Sequence, residues 1–463
     1  VEATIRIEGG PEQTRRLVSG TQVIEGLVPA VDEPRDVSVS LKVDGRTLAE
    51  KTILIKPVRK WEVYLLHHTH LDIGYTHVQT EVDEMQRGFL DEAMELGEKT
   101  KDYPPEARFK WLPEGLWAVD SYLRRASEED QRRFVEAVKK GYISLDALYA
   151  NELTALCRPE ELLELTGYAR RLAQKHGLTI DSAMITDVPG YTWGIVPVLA
   201  HSGVKYFSIG PNFGHRIGYT LSEWGDKPFY WESPSGREKV LCWVAGMGYS
   251  WFHTGLNYTE IKRKLEPGPI FDYLKRLDDK GFPYDIVQVR YNIGSDNGPP
   301  DPQLPDMVKA WNEKYAYPRM IIASPSQMFA EFEQRYGAGL PTIRGDFTPY
   351  WEDGAASSSR ETALTRAAAE RLVQAQTLFA MVGGPYPAQA FHEAWRQVLL
   401  YNEHTWGSWN SISEPQGDFT QQQWAIKQAF ALEADRRSKA LVAQAVESIA
   451  DKGPPVQAVE VFN

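Results

Sequence analysis

Apolar and polar positions change their period twice along the chain. Up to about residue 59, short stretches rich in β-branched residues, Thr4-Ile5-Arg6-Ile7, Gln22-Val23-Ile24, Val37 to Val43 and Thr52 to Ile55, are separated by Gly and Pro. Alternation and β-branching suit a pleated, half-buried surface, so residues 1–59 predict a small β-sandwich. From residue 60, apolar runs near 62–67, 107–111, 143–148, 182–186, 204–209, 239–244 and 286–290 alternate with helical patterns such as Glu160 to Lys175. That alternation predicts a β/α architecture with a mainly parallel sheet. Further on the period is helical throughout. Phe391, Trp395, Val398 and Leu399 fall at i, i+4, i+7 and i+8, a stripe for packing against neighbouring helices, with Arg360 to Met381 and Thr420 to Ile449 long enough to supply them. The last residues, Ala458-Val459-Glu460-Val461-Phe462-Asn463, alternate like a strand and predict the start of a further, truncated β domain.

Composition narrows the function more than the fold. At 463 residues, two or three domains with a large core are expected. A net charge of −12 with no long basic run argues against a groove that tracks nucleic-acid phosphates. No apolar stretch approaches the roughly 20 residues of a membrane span. Cys157 and Cys242 are the two cysteines, which excludes a disulfide scaffold and a thiolate zinc cluster. The 14 Trp and 22 Tyr suit stacking on sugar rings and serve equally as core. The chain starts at Val1 with no Met and no signal-like apolar block, as expected of a processed or trimmed start. The compartment stays open, with a lean toward the cytoplasm.

The apolar run Val63-Tyr64-Leu65-Leu66 leads straight into His67-His68-Thr69-His70-Leu71-Asp72-Ile73-Gly74-Tyr75-Thr76-His77, which holds four of the ten histidines. Side chains two apart on a strand share a face, so His68, His70 and Asp72 are expected to converge where the strand runs out. Neutral imidazole and carboxylate are good ligands for a divalent metal such as zinc, and a partly filled shell leaves room for substrate. The plainer alternative is a strand end whose histidines satisfy one another and solvent. In a β/α barrel, chemistry sits in the loops after the carboxyl ends of the strands. Glu114 follows the second strand, Tyr149, Asn151 and Glu152 the third, Asp187 the fourth, Asn212 the fifth and Asp296 the seventh. Singly, Asp187 and Asp296 beside Gly and Pro read as turn residues, and Glu114 and Glu152 as cap or salt-bridge groups. Together on one rim they read as a site. His404, in Tyr401-Asn402-Glu403-His404-Thr405-Trp406-Gly407-Ser408-Trp409, ends the striped helix, where an imidazole suits the helix dipole; Gly407 and two Trp suggest a tight aromatic-walled loop.

In this order the residues resemble glycoside hydrolase family 38, the retaining α-mannosidases with a zinc ion in the sugar site, over most of residues 60 to 460. His68-Thr69-His70-Leu71-Asp72-Ile73-Gly74-Tyr75 is similar to the family's His-x-His-x-Asp-x-Gly-Trp motif, with His70 and Asp72 in the zinc-ligand places. Asp187-Val188-Pro189-Gly190 is similar to the Asp-Pro-Phe-Gly element whose aspartate is both nucleophile and zinc ligand, and His404 takes the place of the second zinc histidine. Gly345-Asp346-Phe347-Thr348-Pro349-Tyr350-Trp351, followed by Ser359-Arg360, resembles the lead-in to the family's helical bundle. The resemblance implies a seven-stranded β/α barrel at 60–345, a three-helix bundle at 346–453 and β domains beyond, with 454–463 as their start. It implies one zinc ion on His70, Asp72, Asp187 and His404, with Asp187 as nucleophile. Asp296 is the acid/base choice, with Glu114 and Glu152 in reserve. Sugar contacts are expected from His68, Tyr75, Glu114, Glu152, Asn212, Tyr350, Trp351 and Trp406.

Three departures mark a divergent branch. Tyr75 stands where the family has Trp. Glu403-His404-Thr405 replaces His-His-Asp, removing a carboxylate expected to hold sugar hydroxyls, and the N-terminal β region is not a usual part of the family. The expected activity is metal-dependent, retaining hydrolysis of α-linked sugars by way of a glycosyl-enzyme, with a carbohydrate as the partner and self-association left open. The alternatives are a metal-dependent deacetylase or amidohydrolase, in which the same ligands activate a water, and a carbohydrate-binding homologue with altered catalysis.

Overall fold

The computed structural model describes residues 1–212, 218–249, 267–294, 296–348, 351–382 and 385–449. The expected strand at Ala458 to Asn463, and the expected sugar contact Tyr350, lie outside them.

Strands β1 (Glu2–Ile7), β2 (Gln13–Arg16), β3 (Arg35–Val43) and β4 (Arg46–Ile55) form one antiparallel sheet in the order β2-β1-β3-β4. Asp44 and Gly45, at φ 48° and 74°, join β3 to β4 with the backbone of a two-residue hairpin turn. The expected sandwich is therefore a single sheet. Its buried apolar side chains are Ala3, Ile7 and Val37, too few to support a second layer. Nor is Gln22–Ile24 a strand, since Val23 is 91% exposed. The edge place belongs to the polar Gln13–Arg16, which pairs its backbone with β1 and needs no apolar face.

Beyond this sheet the chain is a mixed α/β fold. β5 (Glu62–His67) lies parallel between β10 (Ile286–Tyr291) and β11 (Arg319–Ala323). A second sheet runs β12 (Thr342–Ile343), β8 (Phe229–Glu232), β9 (Lys239–Val244), β7 (Tyr206–Pro211), β6 (Ser182–Asp187), with β9, β7 and β6 parallel. β6, β7 and β10 are buried along their whole length, as parallel strands covered on both faces must be. The expected strands at 107–111 and 143–148 shrink to single bridges, His68 with Leu112 and Trp111 with Ile143. The cause at the second is Asp146, whose carboxylate accepts the backbone N–H groups of Leu148 and Met184 and so takes donors a longer ladder would use. The chain still passes the neighbour relation from β5 to β6: Leu112 N–H donates to His67 O at 3.0 Å and Ala147 N–H to Ser182 O at 3.0 Å.

The helix expected from Glu160 to Lys175 is two helices, Pro159–Leu165 and Gly167–His176. Thr166 breaks it, its hydroxyl donating back to Leu163 O at 3.1 Å. Three long helices follow, Ser359–Val382, Ala388–Asn402 and Asp418–Ile449. Phe391, Trp395 and Val398 of the predicted stripe are buried against Leu372 and Ala375 of the first and Ala434 and Leu441 of the last. Among the described residues no helix is long and apolar enough to cross a membrane.

Candidate metal and active site

β5 delivers its histidines to two different environments. His67 is buried, its Nδ1 3.1 Å from Lys110 O and its Nε2 accepting Asp301 N–H at 3.1 Å. Burial pushes its pKa down to about 3, so it is a neutral core residue. His68 is fully buried too, with Nδ1 2.6 Å from Thr69 O and Nε2 3.2 Å from Tyr249 O. It does not reach the cavity as expected; it holds Tyr249, which does.

His70 and Asp72 turn the other way. With His404 they form a buried group whose ligand atoms lie within 4.8 Å of one another. Asp72 Oδ1 is 3.1 Å from His70 Nε2 and 3.1 Å from His404 Nε2. Asp187 Oδ2 lies 3.6 Å from His404 Nε2, and Asp296 Oδ1 3.9 Å from His70 Nε2. The turn bearing His70 and Asp72 is clamped from the β10 loop: Asn297 N–H donates to His70 O at 2.6 Å, and the Asn297 amide pairs with Asp72 N–H and C=O at 3.2 and 3.1 Å.

Each site imidazole is held from behind by a carboxylate. His70 Nδ1 is 3.0 Å from Glu114 Oε2, which also accepts Leu71 N–H at 2.9 Å and Asn151 Nδ2–H at 3.1 Å. His404 Nδ1 is 2.7 Å from Glu403 Oε1. Burial disfavours the charged ring at both, but the neighbouring carboxylates outweigh it: His70 is raised well above its usual range, and His404 is raised to about 10 by Glu403 and Asp72. Burial opposes ionisation of Asp72, yet the two imidazoles hold its pKa low, while burial lifts Asp187 to about 6. Glu114 thus stands behind His70 and does not line the cavity. Glu152 is fully buried away from the cavity, both its oxygens lack a hydrogen-bond partner, and burial with the charge of Glu403 pushes its pKa far up.

The group faces a cavity of about 380 Å³. Asp187 enters it from the end of β6 at φ 72°, the left-handed region that a side chain occupies at a cost of about 1–3 kcal/mol and that tends to mark functional positions. Asn212, at the end of β7, fixes it: Asn212 N–H donates to Asp187 O at 2.8 Å and Nδ2–H to Asp187 Oδ1 at 2.5 Å. Tyr75, at φ 64°, forms part of the rim, its N–H and C=O both bonded by the Gln423 amide at 2.6 and 3.1 Å. Asp296, Trp351 and Trp406 also line the cavity as expected. Thr405, where the family motif has its carboxylate, lines it too, and Tyr249 and Asp353 line it without having been singled out. Tyr249 follows β9 and obeys the strand-end rule, so that signal was present; Asp353 opens a short helix far from any strand end and carried none.

The donor set fits a divalent cation. Two imidazole nitrogens and carboxylate oxygens are the ligand chemistry of zinc, the rear nitrogens of His70 and His404 face carboxylate oxygens at 3.0 and 2.7 Å, and His404 Nε2 points at Asp72 and Asp187 without hydrogen-bond alignment to either.

A family profile described as glycosyl hydrolases family 38 N-terminal domain matches residues 60–353. Among solved structures, an alpha-mannosidase from Enterococcus faecalis V583 is similar with a TM-score of 0.63 and 17% identity, over 84% of this chain and 43% of that one. A protein in glycosyl hydrolase family 38 from Enterococcus faecalis gives a TM-score of 0.57 and 16% identity, over 85% of this chain and 40% of that one. The chain therefore spans less than half the length of these two relatives. No curated protein matches the sequence.

Proposed function

The chain belongs to glycosyl hydrolase family 38, and on that premise we propose that it is a metal-dependent retaining glycoside hydrolase of α-linked sugars, α-mannosidase-like, with Asp187 as nucleophile. We read residues 60–345, with the bridged segments at Trp111 and Ile143 completing the ring, as a seven-stranded β/α barrel. The N-terminal sheet precedes it, and we read the helices Ser359–Val382, Ala388–Asn402 and Asp418–Ile449 as a three-helix bundle after it. The observation that carries the functional reading is the convergence of Asp72, Asp187 and His404, with His70 set against Asp72, on one cavity that Asp296 also lines.

His70, Asp72, Asp187 and His404 would hold the cation, which when bound supplies Lewis-acid polarisation and a template for adjacent sugar hydroxyls. Asn212 holds Oδ1 of Asp187 and so fixes the carboxylate toward the anomeric carbon. In the first step an Asp187 oxygen forms a bond to that carbon as the glycosidic C–O bond breaks, and Asp296 gives its proton to the leaving oxygen. In the second, Asp296 takes a proton from water, the water oxygen bonds the anomeric carbon, and the Asp187 carboxylate departs. Tyr75, Trp351 and Trp406 give the sugar flat apolar surfaces.

The test is trapping with a 2-deoxy-2-fluoro glycoside followed by peptide mass spectrometry, together with the Asp187→Ala variant. A label on Asp187, and turnover lowered by about 10³-fold or more in the variant with an unchanged melting curve, are expected. Turnover retained in the variant, or release of acetate from an acetylated sugar with no label, overturns the reading.

A further inference from the structure

The two site histidines share one construction. Behind His70 stands Glu114, and behind Glu114 the fully buried Arg290, whose NH1 is 3.9 Å from Glu114 Oε1. Behind His404 stands Glu403, and behind Glu403 stands Lys427, 1% exposed, its Nζ 3.4 Å from Glu403 Oε2. Each is a histidine, a carboxylate and a cation in line, and the cation comes from another element. Arg290 lies on β10. Lys427 lies in the helix Asp418–Ile449.

Lys427 is a poor residue to bury for packing alone, since burial works against its charge and lowers its pKa. Its three donors explain the placement. Nζ donates to Leu400 O at 3.1 Å and Glu403 O at 2.8 Å, carbonyls at the end of the helix Ala388–Asn402 that have no partner within their own helix. The third direction faces Glu403 Oε2, which also accepts the Thr405 hydroxyl. Glu403 is 0% exposed, and Lys427 is the cation set against it. Held there, Glu403 sets its Oε1 2.7 Å from His404 Nδ1 and keeps the ring with Nε2 toward Asp72 and Asp187.

We propose that Glu403 and Lys427 are positioning residues for His404, through which the helix Asp418–Ile449 sets the metal affinity of the site. The proposal rests on the reading of His404 as a metal ligand. The Glu403 and Thr405 that depart from the family motif on either side of His404 then have a shared purpose: both are parts of this brace.

Zinc affinity of chelator-stripped full-length protein, measured by competition with a chromophoric chelator, tests it. Lys427→Met and Glu403→Gln should each weaken zinc binding about 10- to 100-fold. The double variant should be little weaker than either single one, because the residues act as a unit. Leu441→Ala, in the same helix but packed among apolar side chains, should loosen the helix and leave zinc affinity within about twofold. Where Lys427→Met fails to fold, Glu403→Gln decides, since it keeps the Lys427 bonds to both carbonyls. Wild-type affinity in a folded Lys427→Met or Glu403→Gln protein overturns the proposal alone, as does an equal loss in Leu441→Ala. A wild type that binds no divalent cation overturns the ligand reading of His404 and the proposal with it.

Discussion

Lys110 shows what a buried charge does to this chain outside the site. Its ammonium donates to Ile322 O at 2.7 Å, and burial lowers its pKa to about 8. An unfolded lysine titrates near 10.4. Below about pH 8 both states hold the proton, and the cost of the buried charge is at its full value. Between that pH and about 10.4 the unfolded chain keeps a proton the native one has released, so stability rises with pH. The stability of wild type relative to Lys110→Met should therefore improve by roughly 2 kcal/mol from pH 7 to pH 10 in denaturant titrations, and a pH-independent difference would contradict this. Residues of the histidine segment were only partly legible. Alternation put His68, His70 and Asp72 on one face, but His68, one residue past the end of β5, is still tied to its neighbours, bridging to Leu112 and donating its N–H to Tyr291 O. Alternation holds only while the backbone stays extended, and it ends before His70.

Elements with a long period were read from the sequence, and elements made by backbone pairing were not. The helices Ser359–Val382, Ala388–Asn402 and Asp418–Ile449 fall where repeating apolar positions put them. β8, β11 and β12 were missed because runs of two to five residues carry no period that separates strand from helix. β2 was missed because its residues are polar. Within the helix Gln79–Lys99, Gly97 breaks the propensity rule for a reason the sequence hides: a Cβ there would lie 2.2 Å from Cγ of Tyr142. Alanine would gain about 1 kcal/mol of helix propensity but force that ring aside. Gly97→Ala should lower stability by about 1–3 kcal/mol and reduce the melting temperature, and a stabilised variant would show that Tyr142 moves freely.

For the whole molecule, the order of β-rich, β/α and helical stretches was legible, whereas the meeting of His404 with Asp72 and Asp187 was not. No local pattern joins a loop beyond the Ala388–Asn402 helix to the end of β6; the resemblance to family 38 supplied that link. Because the donors come from three segments, the turn bearing His70 and Asp72, the end of β6 and the loop bearing His404, a bound cation would add one more tie to the hydrogen bonds and packing that already join them. Stripping the metal should lower the melting temperature by about 5 °C in differential scanning fluorimetry, with zinc restoring it and magnesium, which prefers oxygen ligands, doing so poorly. A curve unmoved by chelator and zinc would mean that these segments hold their places without an ion.

The amide of Gln423 carries a consequence of its own. By taking both main-chain groups of Tyr75 it acts as a one-residue stand-in for a neighbouring strand, latching the mouth of the pocket to the last long helix. Anyone trimming the polypeptide, or transplanting the α/β part alone into a fusion, would unfasten that latch along with the contacts behind His404. The smallest portable version of this pocket is the α/β part and the helices together.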